Sequence, residues 1–338
     1  MKILYASLGL AVAVLLVTGL IGWLQLLDTR SKIAELQREY RRLEEENKKL
    51  EESCRGAAAQ RVTLRWVPGA WPRREVDATG DGVPDFIIDV CPWNLKSGKG
   101  TYEMSYDPVT KTVKTVIDFQ DLEPHDWNTW VIGYPEVIIG RKPWDSRYVN
   151  GFGVNFPMRV SELEPFLLSF YFAFEELDLA GYNFAADAWL LKERDAVRGP
   201  VAGELEIMVW LVGVNAPGET VGAERVPMVI NGSFVKALFE VKLIQQEDRA
   251  DILIFLLLEP VFRRGYVAYD PTVFVRLAGK HARFDVSGHY LVGWELGTEW
   301  VAHRRAPASG PAWGKVAWVL KDFHAIPRAT LVGEPRSP

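Results

Sequence analysis

Two short strings set a carboxylate beside aromatic residues in segments patterned like β-strands: Glu206-Ile207-Met208-Val209-Trp210 and Gly297-Thr298-Glu299-Trp300. Two carboxyl groups on one sheet surface can carry out double displacement at an acetal carbon, one attacking and the other protonating the departing oxygen; this is retaining glycoside hydrolysis. Side chains alternate across a strand. Leu205, Ile207, Val209 and Leu211 are therefore expected in a core, with Glu204, Glu206, Met208 and Trp210 on the other face. In the second segment Val292, Trp294, Leu296, Thr298 and Trp300 share one face, and Glu295 and Glu299 share the other. Alternation does not choose between Glu204 and Glu206, or between Glu295 and Glu299. A plain solvated face carries the same pattern.

The elements that must position these residues read as β. From about Arg61 to Val332, runs rich in Val, Ile, Phe, Tyr and Trp recur between turn signals: Phe86–Val90, Tyr102–Tyr106, Val113–Phe119, Leu167–Phe174, Glu206–Val214, Val226–Ile230, Phe234–Val241, Ile252–Leu258, Val273–Leu277 and Val316–Leu320. Asn231-Gly232 between two runs is a strong hairpin signal, and Asp107-Pro108 marks another turn. Helical turns are expected only around Ser161–Leu168 or Arg249–Ile252. Many short strands over residues 63–332 predict one all-β domain, a β-sandwich or jelly roll.

Composition narrows the function. Charged residues are 25% of the 338 and the net charge is -5, without the basic stripe of a nucleic-acid binder. Aromatic residues reach 12%, with 13 Trp. Indole N–H groups need partners when buried, so some tryptophans are expected on a working surface. The two cysteines, Cys54 and Cys91, are too few for a disulfide scaffold, and the five histidines show no zinc spacing.

The first residues read as an addition to this domain. Ile3–Leu27 carries no charged side chain; at ~1.5 Å per residue it spans a hydrocarbon core of about 30 Å. Residues 1–28 are read as an uncleaved transmembrane signal anchor, with a cleaved signal peptide as the alternative. Residues 29–56 follow as a coiled-coil stalk: Ile33, Leu36, Tyr40, Leu43, Asn47, Leu50 and Cys54 alternate by threes and fours. That seam predicts a homodimer, against a single solvated helix. Residues 57–62 form a linker and 333–338 a disordered tail. The expected location is the cell membrane, with the large domain outside.

One loop has metal-ligand spacing. Asp77, Thr79, Asp81 and Asp85 fall at positions 1, 3, 5 and 9 of a calcium loop, with Gly82 at the turn and Val83 offering its carbonyl. Ile88 at position 12 excludes an EF-hand. The same residues suit an Asx-rich turn. Asn231-Gly232-Ser233 fits a glycosylation sequon as well as a hairpin, and the hairpin is preferred.

The chain resembles glycoside hydrolase family 12, the jelly-roll endoglucanases, and more closely their hyperthermophilic archaeal members. The strings that carry the resemblance are Asp77–Asp85, Gly133-Tyr134-Pro135-Glu136, Lys142-Pro143-Trp144, Asn183–Trp189, Glu206–Trp210 and Gly297-Thr298-Glu299. The resemblance implies a concave substrate cleft, Glu206 as nucleophile, Glu299 as acid/base, and Asp187 as the carboxylate that contacts the nucleophile. It implies Trp93 as a sugar platform; Trp130, Trp144, Met208 and Trp210 are further candidate cleft residues. It implies an endo-β-1,4-glucanase acting on β-glucan with no catalytic cofactor, and a structural calcium weakened because Thr79 replaces an Asp. Cys91 stands where the family carries Asn two residues before the platform Trp; the hydrogen bond to sugar is there either lost or supplied by Asn94. The competing readings are a xyloglucan-specific or mixed-linkage glucanase of the same fold, a non-catalytic membrane-tethered carbohydrate-binding protein, and a scaffold defined by the N-terminal segment.

Overall fold

The computed structural model describes residues 61–304 and 311–328. The anchor, the stalk with Cys54 and the tail lie outside the described residues. The strands are β1 (Val62–Arg65), β2 (Arg73–Val76), β3 (Phe86–Asp89), β4 (Leu95–Asp107), β5 (Thr112–Pro124), β6 (Glu136–Gly140), β7 (Met158–Arg159), β8 (Phe166–Asp178), β9 (Gly181–Leu191) and β10 (Leu205–Gly213). They continue as β11 (Glu219–Ile230), β12 (Ser233–Ile244), β13 (Asp251–Glu259), β14 (Arg264–Tyr269), β15 (Tyr290–Leu291), β16 (Gly293–Gly297), β17 (Trp300–Val301), β18 (His303–Arg304) and β19 (Ala312–Pro327).

Hydrogen bonding joins the main strands into one ribbon: β2-β3-β6-β16-β9-β10-β13-β12-β11-β14-β8-β19-β5-β4-β1. The ribbon folds back on itself, and the two layers close on one apolar core. Phe184 of β9 meets Phe170 and Phe172 of β8 and Trp318 of β19 there. All pairings in this ribbon are antiparallel except β10 with β13. The all-β jelly-roll expectation is met in this domain.

The alternation predicted for β10 holds. Leu205, Ile207, Val209 and Leu211 belong to the main core, while Met208 and Trp210 form a separate apolar cluster with Ala185 and Ile254 on the other face. Trp294, Leu296 and Trp300 likewise enter the core. Asn231-Gly232 makes the β11–β12 hairpin; both residues have positive φ, 50° and 79°, as a type I′ turn requires.

One predicted strand is a helix. Val273–Leu277 lies inside α1 (Pro271–His281). The Asp270 side chain caps it by accepting from the Thr272 N–H at 2.9 Å, and Pro271 opens the first turn. Phe274, Val275 and Ala278 are buried at helical spacing. Cap and period together override the β-branched local composition. The expected helical turn near Ser161 is a short 3-10 turn, Val160–Glu162, whereas Asp251 and Ile252 lie in β13.

Glu204, a rival for the nucleophile, is not on a solvated face. Its side chain is fully buried and paired with Arg198 at 2.8 Å. It also accepts from the backbone N–H groups of Val201 and Lys192, at 2.9 and 3.0 Å. Burial pushes its carboxyl upward, but these donors outweigh burial and hold it below the ordinary carboxylate value. Its stabilising contribution is therefore present above the unfolded-state pKa and is lost as pH falls through the folded one. Glu204→Ala is expected to cost about 3 kcal/mol by stranding these donors. A denaturant titration at neutral pH measures this, and the cost shrinks in acid.

Candidate active site

Central strand β9 lies between β10 and β16, so its outward side chains are flanked by those of both neighbours. Met208, Asp187 and Glu295 stand side by side in the register, with Ile138 of β6 beyond them. Glu206 stands opposite Trp189 in the adjacent row. Beyond β16, Glu299 is clamped by Asn183: the Glu299 N–H donates to Asn183 Oδ1 at 2.8 Å, and Asn183 Nδ2 donates to Glu299 Oε2 at 2.5 Å. Both strings therefore deliver carboxyl groups to one face of one sheet.

Accessibility separates these acids. Asp89, Glu136, Asp187 and Glu295 are each 5% exposed or less. Glu206 and Glu299 are half-buried and reachable from solvent. Burial pushes the Glu206 carboxyl well above the ordinary range, and repulsion from Glu299 and Glu295 adds to the rise. Burial raises Glu299 to about 7, against the hydrogen bond from Asn183. Asp187 rises through burial, then through repulsion from Glu206, Glu299 and Glu295. Carboxyl groups this close titrate as a set and retain protons near neutrality.

The loop after β6 brings Lys142 to this floor. Its ammonium forms a close ion pair with Glu136, lies 3.8 Å from Glu295, and is 3.3 Å from Cys91 Sγ. Glu295 also accepts from the Trp189 indole N–H at 3.1 Å. Adjacent Arg141 is buried as well, and its guanidinium donates to the carbonyls of Lys142, Pro143, Asp145, Arg194 and Ala196. The rigid fork suits this use: it ties the lysine loop to the β9–β10 loop. The glycine of the second string also has a local reason. A Cβ on Gly297 would lie 2.8 Å from the Glu136 Cβ across the β6–β16 pair.

A family model for glycosyl hydrolase family 12 matches residues 84–314, which includes every one of these groups. The chain belongs to glycosyl hydrolase family 12. It is therefore a glycoside hydrolase, and enzymes of this family need no cofactor for catalysis. No curated protein sequence matches it. Among solved structures it is similar to an endoglucanase from Rhodothermus marinus: 20% identity, 78% of this chain, 98% of that one, TM-score 0.54. It is also similar to a family 12 xyloglucanase from Bacillus licheniformis: 17% identity, 79% of this chain, 100% of that one, TM-score 0.56. Endoglucanase 3 from Trichoderma harzianum shares the fold at 14% identity, with 79% and 97% coverage and a TM-score of 0.53.

The remaining predicted site residues divide into three groups. Met208 and Trp210 lie on the site face but are 5% and 6% exposed, so they form its floor. Trp93, Trp130 and Trp144 are 42%, 76% and 44% exposed. Trp144 packs edge-on against Trp189, 6.2 Å between centroids, which places it beside the acids. Trp93 adjoins Asn94, and Asn94 holds the loop that carries Trp130 by donating to the carbonyls of Asp126, Thr129 and Val131. Asn94 is itself 2% exposed and fully engaged, so it does not replace the hydrogen bond of the family Asn. Cys91 is buried too, against Lys142.

The 77–85 loop is closed on its own backbone. Asp77 accepts from the N–H groups of Gly80 and Gly82, Asp85 from those of Ala78 and Thr79, and Asp81 from that of Val83. The carboxylates serve as turn caps, and Asp77 also accepts from the Thr79 hydroxyl at 3.4 Å. Among the described residues no group of three or more His, Cys, Asp or Glu side chains is placed to hold a metal. The geometry is that of the Asx-rich turn, and the calcium expectation lacks support.

Sequence reasoning missed Lys142, Glu136, Trp189 and Asn183 as site residues, although each lies in a string that carries the family resemblance. Alternation also left Glu295 as a rival of Glu299 on one face, and Glu295 belongs to the buried floor. Asn183→Leu removes a donor to Glu299 and should move that carboxyl's titration upward, as read by NMR of labelled glutamate carbons. Calorimetry after chelator treatment and calcium re-addition tests the 77–85 loop: an unchanged thermal midpoint is the outcome expected of a plain Asx turn.

Proposed function

We propose that this glycoside hydrolase is an endo-β-1,4-glucanase that cleaves internal glucosidic bonds of cellulose-type β-glucans with retention of configuration. The observation that carries the reading is the contrast in accessibility. Of six carboxyl groups gathered on the site face, the two that are only half-buried are the ones the family motifs single out, Glu206 and Glu299.

In the proposed reaction the Glu206 carboxylate attacks the anomeric carbon. The glycosidic C–O bond breaks as the leaving oxygen takes the proton of Glu299. A water then gives its proton to Glu299 and its oxygen to the anomeric carbon, releasing Glu206. The pair retains one proton, and a glycosidic oxygen beside Glu299 draws it there. The charge of Asp187, in the row next to that of Glu206, steadies the nucleophile's proton balance. Trp93, Trp130 and Trp144 offer apolar faces for sugar rings, above the floor of Met208 and Trp210.

A xyloglucan or mixed-linkage preference is the second reading. The similar structures include both endoglucanases and a xyloglucanase, whose shared backbone is what the carboxyl pair would address. For the N-terminal region we propose a membrane anchor and a dimeric coiled-coil stalk that hold the domain outside the cell. The charge-free run Ile3–Leu27 and the heptad seam support this.

Glu206→Gln and Glu299→Gln should each lower reducing-end release by at least about a hundredfold on carboxymethyl-cellulose, mixed-linkage glucan and xyloglucan alike. Either variant at wild-type rate rejects the assignment, and a wild-type protein that binds these glucans without cleaving them rejects the enzyme reading. Because Glu299 holds its proton up to about 7, kcat/KM should fall as pH rises beyond that value; stopped assays across pH 4–9 (roughly the range where carboxyl dyads titrate) locate the limb.

A further inference from the structure

The floor of the site holds far more acid than base. Asp89 of β3, Glu136 of β6, Glu295 of β16, Asp187 of β9, Glu206 of β10 and Glu299 share it, and Lys142 is the one buried ammonium among the described residues that reaches them. Arg73 approaches only Asp89, at 4.0 Å, and is otherwise committed to Asp145. Cys91 completes the surroundings of the ammonium, and Asp145 lies on its own loop. A lysine costs several kcal/mol to bury unless its charge is answered, so its position here needs a reason.

Two contacts and one strand pairing link Lys142 to the reacting group. The ammonium pairs with Glu136 and Glu295; Glu295 accepts the Trp189 indole N–H; Trp189 is the register partner of Glu206. The same ammonium lies 5.4 Å from the Trp144 ring centroid, and Trp144 packs on Trp189. One charge thus supports a two-tryptophan wall beside the nucleophile.

We propose that Lys142 is a positioning residue for hydrolysis: its ammonium holds Glu295 as the acceptor that fixes the Trp189 indole beside Glu206, and supplies the one nearby positive charge that favours Glu206 as an anion. The inference rests on the reading of Glu206 as nucleophile. The charges that oppose Lys142 at Glu206 are those of Glu299 and Glu295, and Lys142 alone acts in the other direction.

The test uses the full chain carrying Lys142→Met, Glu295→Gln or both, with Glu206→Gln assayed in parallel on carboxymethyl-cellulose. Lys142→Met should lower kcat at least about tenfold with KM within twofold. It should move the acidic limb of the kcat/KM profile upward by about one pH unit, because the nucleophile then keeps its proton to higher pH. Adding Glu295→Gln removes one of the two carboxylates left unanswered, Glu136 being the other, so the double variant should exceed Lys142→Met in activity, a coupling that independent damage does not produce. Wild-type kcat and profile in folded Lys142→Met, or a double variant whose loss is the product of the single losses, overturns the proposal. If Lys142→Met does not fold, Lys142→Met with Glu136→Gln, which removes the ammonium together with its closest carboxylate, decides: an upward shift of the acidic limb supports the proposal and an unchanged limb overturns it. Full activity in Glu206→Gln fails the nucleophile reading itself, whatever the lysine variants do.

Discussion

Burying several carboxyl groups against one ammonium is the constraint on which the site depends. Ionised carboxylates cannot crowd together in a low-dielectric floor unless they are answered by positive charge or keep protons. Lys142 answers part of the charge, and held protons answer the rest. The backbone is organised to make this arrangement stable. Arg141 spends its guanidinium on five carbonyls so that the next residue can reach Glu136 and Glu295. Gly297 leaves room for Glu136. Asn183 grips Glu299 at both backbone and side chain. Each device lies in a different strand or loop, and all are aligned by the pairing of β6, β16, β9 and β10.

The two faces of that sheet do different work. Toward the core, Leu205, Ile207, Val209, Ala186 and Ala188 pack without polar groups. That dry side fixes strand register, because a slip of one residue would exchange acids for aliphatic side chains. Register in turn sets which acid meets which neighbour. Precision at the carboxyl pair is therefore inherited from the core.

The sequence made one part of this legible and hid another. Alternation in β10 is a local signal, so the placement of Leu205 through Leu211 could be read directly, as could the Asn231-Gly232 turn. The burial of Glu204 and Glu295 could not. It depends on Arg198 and on Lys142, which are brought close by loops rather than by period. Val273–Leu277 reads as a strand by residue type, yet Asp270-Pro271 starts a helix whose buried face is defined by the strands beneath it. The 77–85 spacing is a true local signal for turn chemistry; caps and ligands draw on the same oxygen atoms, and here the backbone uses them. Glu136 and Lys142 lie six positions apart in the chain, and only the fold shows their charges to be one unit.

Among the described residues, the main ribbon from β2 through to β1 ends in those two strands, and the other border strands, β7, β17 and β18, are two residues each. The two end strands are four residues long, and β2 offers Arg73, Arg74 and Glu75 along its length, while β1 closes on Arg65 paired to Glu103. Short, charged borders are poor templates for another chain's backbone. The ribbon can therefore carry a large β content, with two layers of aromatic side chains sealed between them, at high local concentration without inviting edge-to-edge polymerisation.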